Sequence, residues 1–449
     1  MDKEDAFLDV AETAINKARK SGAENAEAYI SSSKELSIDV RKGRVETMKL
    51  AEDRGLGLRV ISGARAGFSY STDLSRSGIE ETVRRALANC GSTAEDPCHH
   101  FPSPGMTYPQ LDIYDPAIRE ATVEGKIELA KSMEQAALDY DPRVAIIESA
   151  TYQDGEALVT IVNSHGMKLT CQGGYCGVYL ALAASDGNDN QNGFALDYQL
   201  KYNKLNPDEV GRRAALRAVR MLGAAPALTR KAVIILDPYV ATGFLGLIGP
   251  ALTSEAVQKG RSLFAGKVGS KVTSEMVTVI DDGTLPNGIA STPFDGEGIA
   301  TTRTVLISNG NLRGFLYNTY TAAKENMQST GNGVRGSFKG TPEVGITNFF
   351  IDAGPTPVEQ LIKEVASGFY ITEVMGIHTA NPISGNFSVG VSGLWIENGQ
   401  FTKPVRGMAL GGNIIDLLAS VESVGNDLQF FGGKGSPTLR IAEMTISGQ

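Results

Sequence analysis

The segment with the clearest potential for chemistry lies just past the middle of the chain and reads Ser254-Glu255-Ala256-Val257-Gln258-Lys259. A glutamate becomes an effective general base when it lies beside a water that a bound zinc has acidified. A catalytic zinc usually takes three protein ligands from histidine, cysteine and carboxylate side chains. All four cysteines lie in the first half of the chain, and His378 is the only histidine after His165. The half that carries Glu255 therefore lacks a ligand set of two histidines with a cysteine or a carboxylate.

Further motifs follow this segment, namely Glu275 to Thr284, Asp295-Gly296-Glu297-Gly298 and Thr330-Gly331-Asn332-Gly333-Val334-Arg335. In this order the segments resemble the TldD/PmbA family of cytosolic metallopeptidase-like proteins, also called the modulator of DNA gyrase family. In the family's catalytic branch the first segment reads His-Glu-x-x-x-His, and a cysteine near the C-terminus completes a zinc site. Here the matching positions hold Ser254, Glu255 and Lys259, and Phe431-Gly432-Gly433-Lys434-Gly435 stands where the cysteine is expected.

The resemblance is thus to the PmbA branch, also called TldE, which lacks the metal ligands. It implies that this chain has no catalytic residue, metal or cofactor of its own, and that a TldD-like paralogue in a heterodimer holds the zinc. It also implies a two-domain protein that is dimeric through the second domain, a homodimer when alone, and a substrate of unfolded or extended peptide. The apolar segment 387–396 is the expected contact with a second chain.

The acidic candidates also have purely structural interpretations. Glu255 and Lys259 have the i,i+4 spacing of a helical ion pair. Clustered carboxylates can supply oxygen ligands to Ca²⁺ or Mg²⁺. Asp-Asp-Gly and Asp-Gly-Glu-Gly are, however, also ordinary turn sequences, and the turn interpretation is favoured. The carboxylates concerned are Glu275, Asp281, Asp282, Asp295 and Glu297.

Two glycine-rich segments supply the remaining candidates. Residues 331–336 do not form a dinucleotide fingerprint, because the sequence up to Pro342 cannot open a helix. Since the related family has this motif near its cleft, Asn332 and Arg335 are predicted to contact the backbone or a carboxylate of a peptide. His378 is a further candidate for substrate binding. No Gly-x-Ser-x-Gly or Ser-x-x-Lys element accompanies it, so a loop histidine with a backbone partner is the favoured interpretation.

Composition narrows the class of protein. The 449 residues include 42 Lys and Arg against 51 Asp and Glu, and the net charge of −9 disfavours binding to nucleic acid. The charged N-terminus is not that of a secretory signal, and the most apolar run, 240–251, is too short to cross a bilayer. The scattered cysteines do not form a disulfide framework. A cytoplasmic protein without membrane or nucleic-acid partners is expected.

The pattern of segments predicts an α+β fold in two domains. Residues 1–225 form an N-terminal α/β domain, and residues 226–449 form a predominantly β domain that carries the degenerate motif. Helix, strands and helix follow one another twice, at 4–90 and 118–222, which suggests an internal duplication. Single helices are predicted over 118–140 and 357–368, and separate short strands over 26–32, 35–41, 45–52 and 56–61.

The leading hypothesis is a metal-free PmbA/TldE-type subunit of a TldD/TldE-like metallopeptidase complex that degrades or processes unfolded peptides. One alternative is a zinc-independent hydrolase that uses carboxylates or His378. Another is a non-catalytic homodimer that binds peptides without cleaving them. A zinc-bearing paralogue encoded beside this gene would favour the first hypothesis.

Overall fold

The first half of the chain forms one six-stranded antiparallel sheet with helices. The computed structural model describes residues 3–448. The elements of this half are α1 (Lys3–Lys20), β1 (Asn25–Arg41), β2 (Arg44–Ser62), β3 (Arg65–Ser71), α2 (Arg76–Gly91), α3 (Pro116–Glu120), α4 (Val123–Tyr140), β4 (Val144–Asn163), β5 (Lys168–Ser185), β6 (Asn190–Gln199), a 3₁₀ turn (Tyr202–Lys204) and α5 (Pro207–Val219). The strand order β3-β2-β1-β4-β5-β6 is symmetric about its centre, as expected for the predicted repeat of helix, strands and helix.

The two faces of this sheet are covered differently. Ala28 and Ile30 of β1 pack with Phe7 of α1 in a core that also includes α2. Residues of β4 and β5 pack against α4 and α5 on the same face in a second core. On the opposite face, Tyr29 packs with Phe294 and Phe338 from the second half of the chain. The sheet therefore separates a layer of helices from the second half of the chain.

The second half is β-rich, as predicted, and contains two larger sheets. Its elements are β7 (Arg230–Leu236), α6 (Pro238–Ile248), α7 (Ser254–Gln258), β8 (Val279–Asp282), β9 (Arg303–Ser308), β10 (Asn311–Leu312), α8 (Thr319–Lys324), β11 (Gly333–Val334), β12 (Glu343–Val344), β13 (Phe349–Ile351), α9 (Val358–Lys363), β14 (Ser367–Met375), β15 (Asn386–Glu397), β16 (Gln400–Asn413), α10 (Ile414–Ala419), β17 (Val421–Val424), β18 (Gln429–Phe431), β19 (Lys434–Ser436) and β20 (Leu439–Ser447), with 3₁₀ turns at Pro250–Leu252 and Ile377–Thr379. One sheet has the order β10-β9-β8-β13-β19-β18. In the other, β16-β15-β14-β7-β20-β17, pairing of β16 with β20 closes a ring of strands.

The strand expected to contact a second chain is already covered within this chain. Val391 and Trp395 of β15 lie in the main core of the second half. Leu394 and Ile396, on the other side of the strand, pack with Met221 just after α5. The prediction that 387–396 forms a subunit contact is therefore wrong for its most apolar part, because packing within the chain covers both of its faces.

Other differences from the predicted elements have local causes. The helix predicted over 118–140 is broken, because Thr122 accepts a hydrogen bond from the Gly125 amide and begins α4 as its N-cap. The separate strands predicted in the first half are two long strands, since pairing carries β1 and β2 through their polar residues. Within residues 3–448, no helix combines the length and apolar character needed to span a bilayer.

Candidate functional site

The degenerate motif forms α7, a helix of five residues. Thr253 caps it, accepting a hydrogen bond from the Ala256 amide at 3.3 Å. The buried Ser254 hydroxyl donates to Thr321 Oγ1 of α8 at 2.8 Å. Lys259, at the end of the helix, forms the expected ion pair with Glu255 on a side of the helix that solvent reaches. The polar groups of the motif are therefore satisfied by one another and by α8.

These residues do not fit a zinc ion. A lysine ammonium is a cation without a lone pair to offer a metal, and the Ser254 hydroxyl is already bonded to Thr321. The segment expected to hold the family's cysteine, residues 431–435, contains no cysteine. Across residues 3–448, moreover, no three His, Cys, Asp or Glu side chains are grouped so that they could hold a metal ion.

A cavity of about 400 Å³ lies between the first sheet and the second half of the chain. Tyr29, Tyr175 and the glycines at 173 and 174 contribute to its wall on the sheet side. Loops 289–296 and 331–335 contribute to the opposite wall. The Ser254, Glu255 and Lys259 side chains do not line it. The degenerate motif and the cavity are thus separate features.

A buried ionic network joins the two halves beside this cavity. Arg59 donates to both carboxylate oxygens of Glu27, at 2.9 and 2.7 Å, and its Nη1 lies 3.5 Å from Glu297. Arg335 also donates to Glu27, and its Nε bonds the Gly296 carbonyl at 2.6 Å. The Glu27 and Arg335 side chains are fully buried. Two arginines thus balance two glutamates across the junction.

Burial and ion pairing have opposite effects on the pKa values of the residues in this network. Burial alone would raise the pKa of Glu27, but Arg335 and Arg59 hold that pKa below its ordinary value. Burial lowers the pKa of Arg335 despite the opposing effect of Glu27. A charge this deeply buried requires its partner, so removal of either side chain would leave an uncompensated ion.

A second acidic group supports the loops of the cavity wall. Asp295 accepts bonds from the amides of Glu297 and Gly333, at 2.9 and 2.7 Å. Glu297 in turn accepts from the Thr319 amide and hydroxyl at 2.8 and 2.6 Å. Burial and the neighbouring Glu297 raise the pKa of Asp295 to about 7. The turn interpretation of Asp-Gly-Glu-Gly is confirmed, with Gly298 at a φ of 83°.

A further buried aspartate, Asp281, holds the glycine-rich loop. Asp281 accepts from the Thr347 amide at 2.6 Å and from the Asn332 side-chain amide at 2.7 Å. The same Asn332 nitrogen donates to the Gly345 carbonyl at 3.0 Å, and its oxygen accepts from Thr330 at 2.7 Å. Burial raises the pKa of Asp281 to about 6. In this arrangement Asn332 positions the loop through bonds within the chain.

The predicted substrate-contacting residues are not brought together. Arg335 lines the cavity, and its Nη1 finds no hydrogen-bond partner among the residues described. Asn332 is buried behind the same loop. His378 lies exposed in the 3₁₀ turn at Ile377–Thr379, outside the lining of the cavity. Of the three residues predicted to contact substrate, only Arg335 therefore lines the cavity.

Sequence reasoning missed the N-terminal members of the network. Glu27 lies between apolar residues in β1, and Arg59 lies between Leu58 and Val60 in β2. In a strand with one exposed face, such alternation is normal and points the charges to water. Only the knowledge that the second half of the chain covers that face would have marked Glu27 as buried.

Comparison with known proteins agrees with this architecture. Three domain models match in order: the PmbA/TldA metallopeptidase domain 1 at 26–90, the central domain at 116–222 and the C-terminal domain at 229–448. A Thermotoga maritima protein whose name associates it with modulation of DNA gyrase has a similar structure, with a TM-score of 0.92 and 27% identity over 98% of this chain and 100% of that one. TldE from Thermococcus kodakarensis shares the fold, with a TM-score of 0.90, 23% identity and coverage of 98% and 100%.

The sequence match to a curated relative is equally extensive. Metalloprotease PmbA of Escherichia coli O157:H7 is 31% identical over 435 residues. The alignment covers 95% of this chain and 93% of the relative. Identity at this level over nearly the whole of both chains, with domain models matched in order, shows that this chain belongs to the PmbA/TldD metallopeptidase family.

Proposed function

We propose that this chain is the metal-free, PmbA/TldE-type subunit of a two-subunit cytoplasmic peptidase, and that a TldD-like partner holds the zinc. The observation that carries the proposal is the state of the motif. Ser254 bonds Thr321, and Glu255 bonds Lys259, so none of these side chains offers a metal ligand set. The chain nevertheless keeps a cavity of about 400 Å³ between its halves. A non-catalytic subunit is expected to have the family fold without a set of metal ligands.

The cavity supports unfolded peptide as the ligand of the complex. β6 pairs with β5 only from Cys176 onward, so residues 168–173 lie at a sheet edge whose end reaches the cavity. An extended peptide can add to such an edge through backbone hydrogen bonds that do not depend on its sequence. The free part of this edge ends before Gly174, whose amide donates to the Ile113 carbonyl at 3.0 Å. Arg335 contributes to the wall of the cavity, where its buried side chain is held by Glu27 and the Gly296 carbonyl.

Reconstitution tests this proposal. The chain would be purified without a tag and mixed with a zinc-bearing TldD-type relative, and cleavage of an unfolded peptide would be followed. We expect no cleavage by this chain alone, cleavage by the mixture, and zinc only in the partner. Glu255→Ala should leave the activity of the mixture unchanged, whereas a substitution of the equivalent glutamate in the partner should abolish it.

The outcomes separate the alternatives. Cleavage by this chain alone that resists a chelator and is lost in His378→Ala would replace the proposal with the zinc-independent hydrolase. Peptide binding by a homodimer that neither cleaves nor stimulates a TldD-type partner would favour the non-catalytic binding protein. Either result would contradict the role of a peptidase subunit.

A further inference from the structure

A second pocket lies between the two halves, at the strand β6 that ends the first sheet. Its lining includes Tyr179 and Phe194 of that sheet, Arg217 and Arg220 at the end of α5, and Thr372 of β14. It shares no lining residue with the cavity beside the buried network. Its volume is about 200 Å³, which is roughly the space of seven water molecules. The pocket therefore has room for a small metabolite.

One of the two arginines in this pocket is satisfied within the fold. The Arg217 guanidinium donates to the Phe194 carbonyl and to Asp237 Oδ1, both at 3.3 Å. The buried Asp237 also accepts from the Tyr239 amide at 3.1 Å and from the Tyr370 hydroxyl at 3.0 Å. Both oxygens of this aspartate are therefore engaged, and its charge balances that of Arg217.

The other arginine has no such partner. The Nε of Arg220 is buried without a hydrogen-bond partner, and within residues 3–448 the Arg220 guanidinium forms no hydrogen bond or contact ion pair. Burial lowers the pKa of Arg220 despite the opposing effects of Tyr370 and Asp237. An arginine nevertheless keeps its proton in a folded protein. A cation without a contacting counter-ion therefore lines the pocket.

The pocket also has groups of the opposite charge. Glu148 and Glu373 line it and are exposed to solvent. Neither carboxylate forms a salt bridge with another group in the part of the chain that the structure describes. Tyr179 and Phe194, with ring centroids 6.4 Å apart, supply apolar surface. The pocket thus combines an unpaired guanidinium, unpaired carboxylates at its exposed side, and aromatic rings.

We propose that this pocket binds a small zwitterion, a free α-amino acid or a dipeptide, whose carboxylate pairs with Arg220 and whose ammonium faces Glu148 and Glu373. A guanidinium can bind a carboxylate through two parallel hydrogen bonds. Inorganic phosphate fits less well, because its additional negative charge would be repelled by the two glutamates. The site requires neither zinc nor a second subunit, so it is independent of the proposed peptidase role.

Titration calorimetry on the full chain tests the class of ligand. The probes are L-alanine, L-leucine, L-phenylalanine and the dipeptide glycyl-leucine. Leucinamide lacks the carboxylate of leucine, isocaproate lacks its ammonium, and inorganic phosphate is the competing anion. We expect the tightest zwitterion to bind roughly tenfold or more tightly than leucinamide, isocaproate and phosphate. Failure of all four zwitterions to bind, or equal binding of isocaproate and leucine, would overturn the proposal.

Substitution of Arg220 tests the carboxylate contact. Arg220→Met keeps the apolar stem and removes the charge, so the dissociation constant for the zwitterion should rise roughly tenfold or more. The matched control is Arg212→Met, at an exposed position of α5, which should bind as the unaltered chain does. Without ligand, Arg220→Met should melt at the same temperature as the unaltered chain or higher, because it removes an unpaired cation. Undiminished binding or a lower melting temperature in Arg220→Met would contradict the assignment.

Substitution of the glutamates tests the ammonium contact separately. The double variant Glu148→Gln/Glu373→Gln should weaken the binding of leucine, because the carboxylates that attract its ammonium are gone. Isocaproate has no ammonium, so its affinity should not fall in the same variant. A variant that binds leucine as tightly as the unaltered chain would overturn the role of the two glutamates. The zinc and cleavage tests decide the proposed function whichever result is obtained here.

Discussion

The motif helix α7 and the ionic network between the two halves contain the same kinds of residues in opposite settings. Glu255 and Lys259 form an ion pair at the surface, where the side chains are 34% and 56% exposed. Glu27 and Arg335 form an ion pair in which neither side chain is exposed. An exposed ion pair contributes little to stability, because water screens its charges. When one partner of a buried pair is removed, the remaining charge is uncompensated and lowers the stability strongly. The comparison indicates that substitutions in the exposed pair of α7 would leave the contacts that join the halves undisturbed.

The largest expected effect is on the buried pair. Arg335→Met should lower the free energy of unfolding by about 3–5 kcal/mol, because Glu27 would remain buried with Arg59 alone. Denaturant unfolding measures this loss. The double variant Glu27→Gln/Arg335→Met should be more stable than Arg335→Met alone, since it removes the uncompensated carboxylate. A loss below about 1 kcal/mol in the single variant would contradict the importance given to this pair.

The next prediction concerns pH. Asp295 and Asp281 have pKa values raised to about 7 and about 6, so the folded chain binds their protons more tightly than the unfolded chain. The stability that they contribute is present at low pH and is lost as the pH rises through those values. Melting temperatures should therefore fall from pH 5 to pH 8 on their account, and Asp295→Asn should flatten the fall near pH 7. Parallel curves for the two proteins would show that Asp295 does not titrate in this range.

The smallest effect is expected in the motif helix. Glu255→Ala and Lys259→Ala should each change the free energy of unfolding by about 0.5 kcal/mol or less, because the ion pair that they remove is exposed to water. The Ser254→Ala variant is the informative comparison, since it removes a buried hydroxyl that bonds Thr321 and should cost about 1 kcal/mol. A larger loss from Glu255→Ala than from Ser254→Ala would reverse this ranking.

The sequence was sufficient to predict the features that depend on residue types and on spacing along the chain. The missing histidines and the pairing of Glu255 with Lys259 follow from residue types and helical spacing, and the β-rich second half follows from alternation and turns. The network beside the cavity was not predictable in the same way. Glu27 and Arg335 are separated by 308 positions, and nothing local to either residue specifies the other. Partners that only the tertiary fold brings together cannot be identified from single-chain patterns.

The free edges of the first sheet illustrate the same limit. The strands at 35–41 and 45–52 were predicted, and they pair as neighbours in the sheet. The exposure of Met48 depends on where β3 stops pairing with β2, which the hydrophobic pattern does not encode. β6, at Asn190–Gln199, was not predicted at all, because its many polar residues obscure the alternation.

The most direct test of the proposed function is the zinc content of the untagged chain, measured by elemental analysis together with cleavage of an unfolded peptide. The proposal predicts zinc far below one ion per chain and no cleavage, since Ser254 and Lys259 occupy the ligand positions of the motif. Stoichiometric zinc that is retained on dialysis and lost in Glu255→Ala would contradict a metal-free subunit.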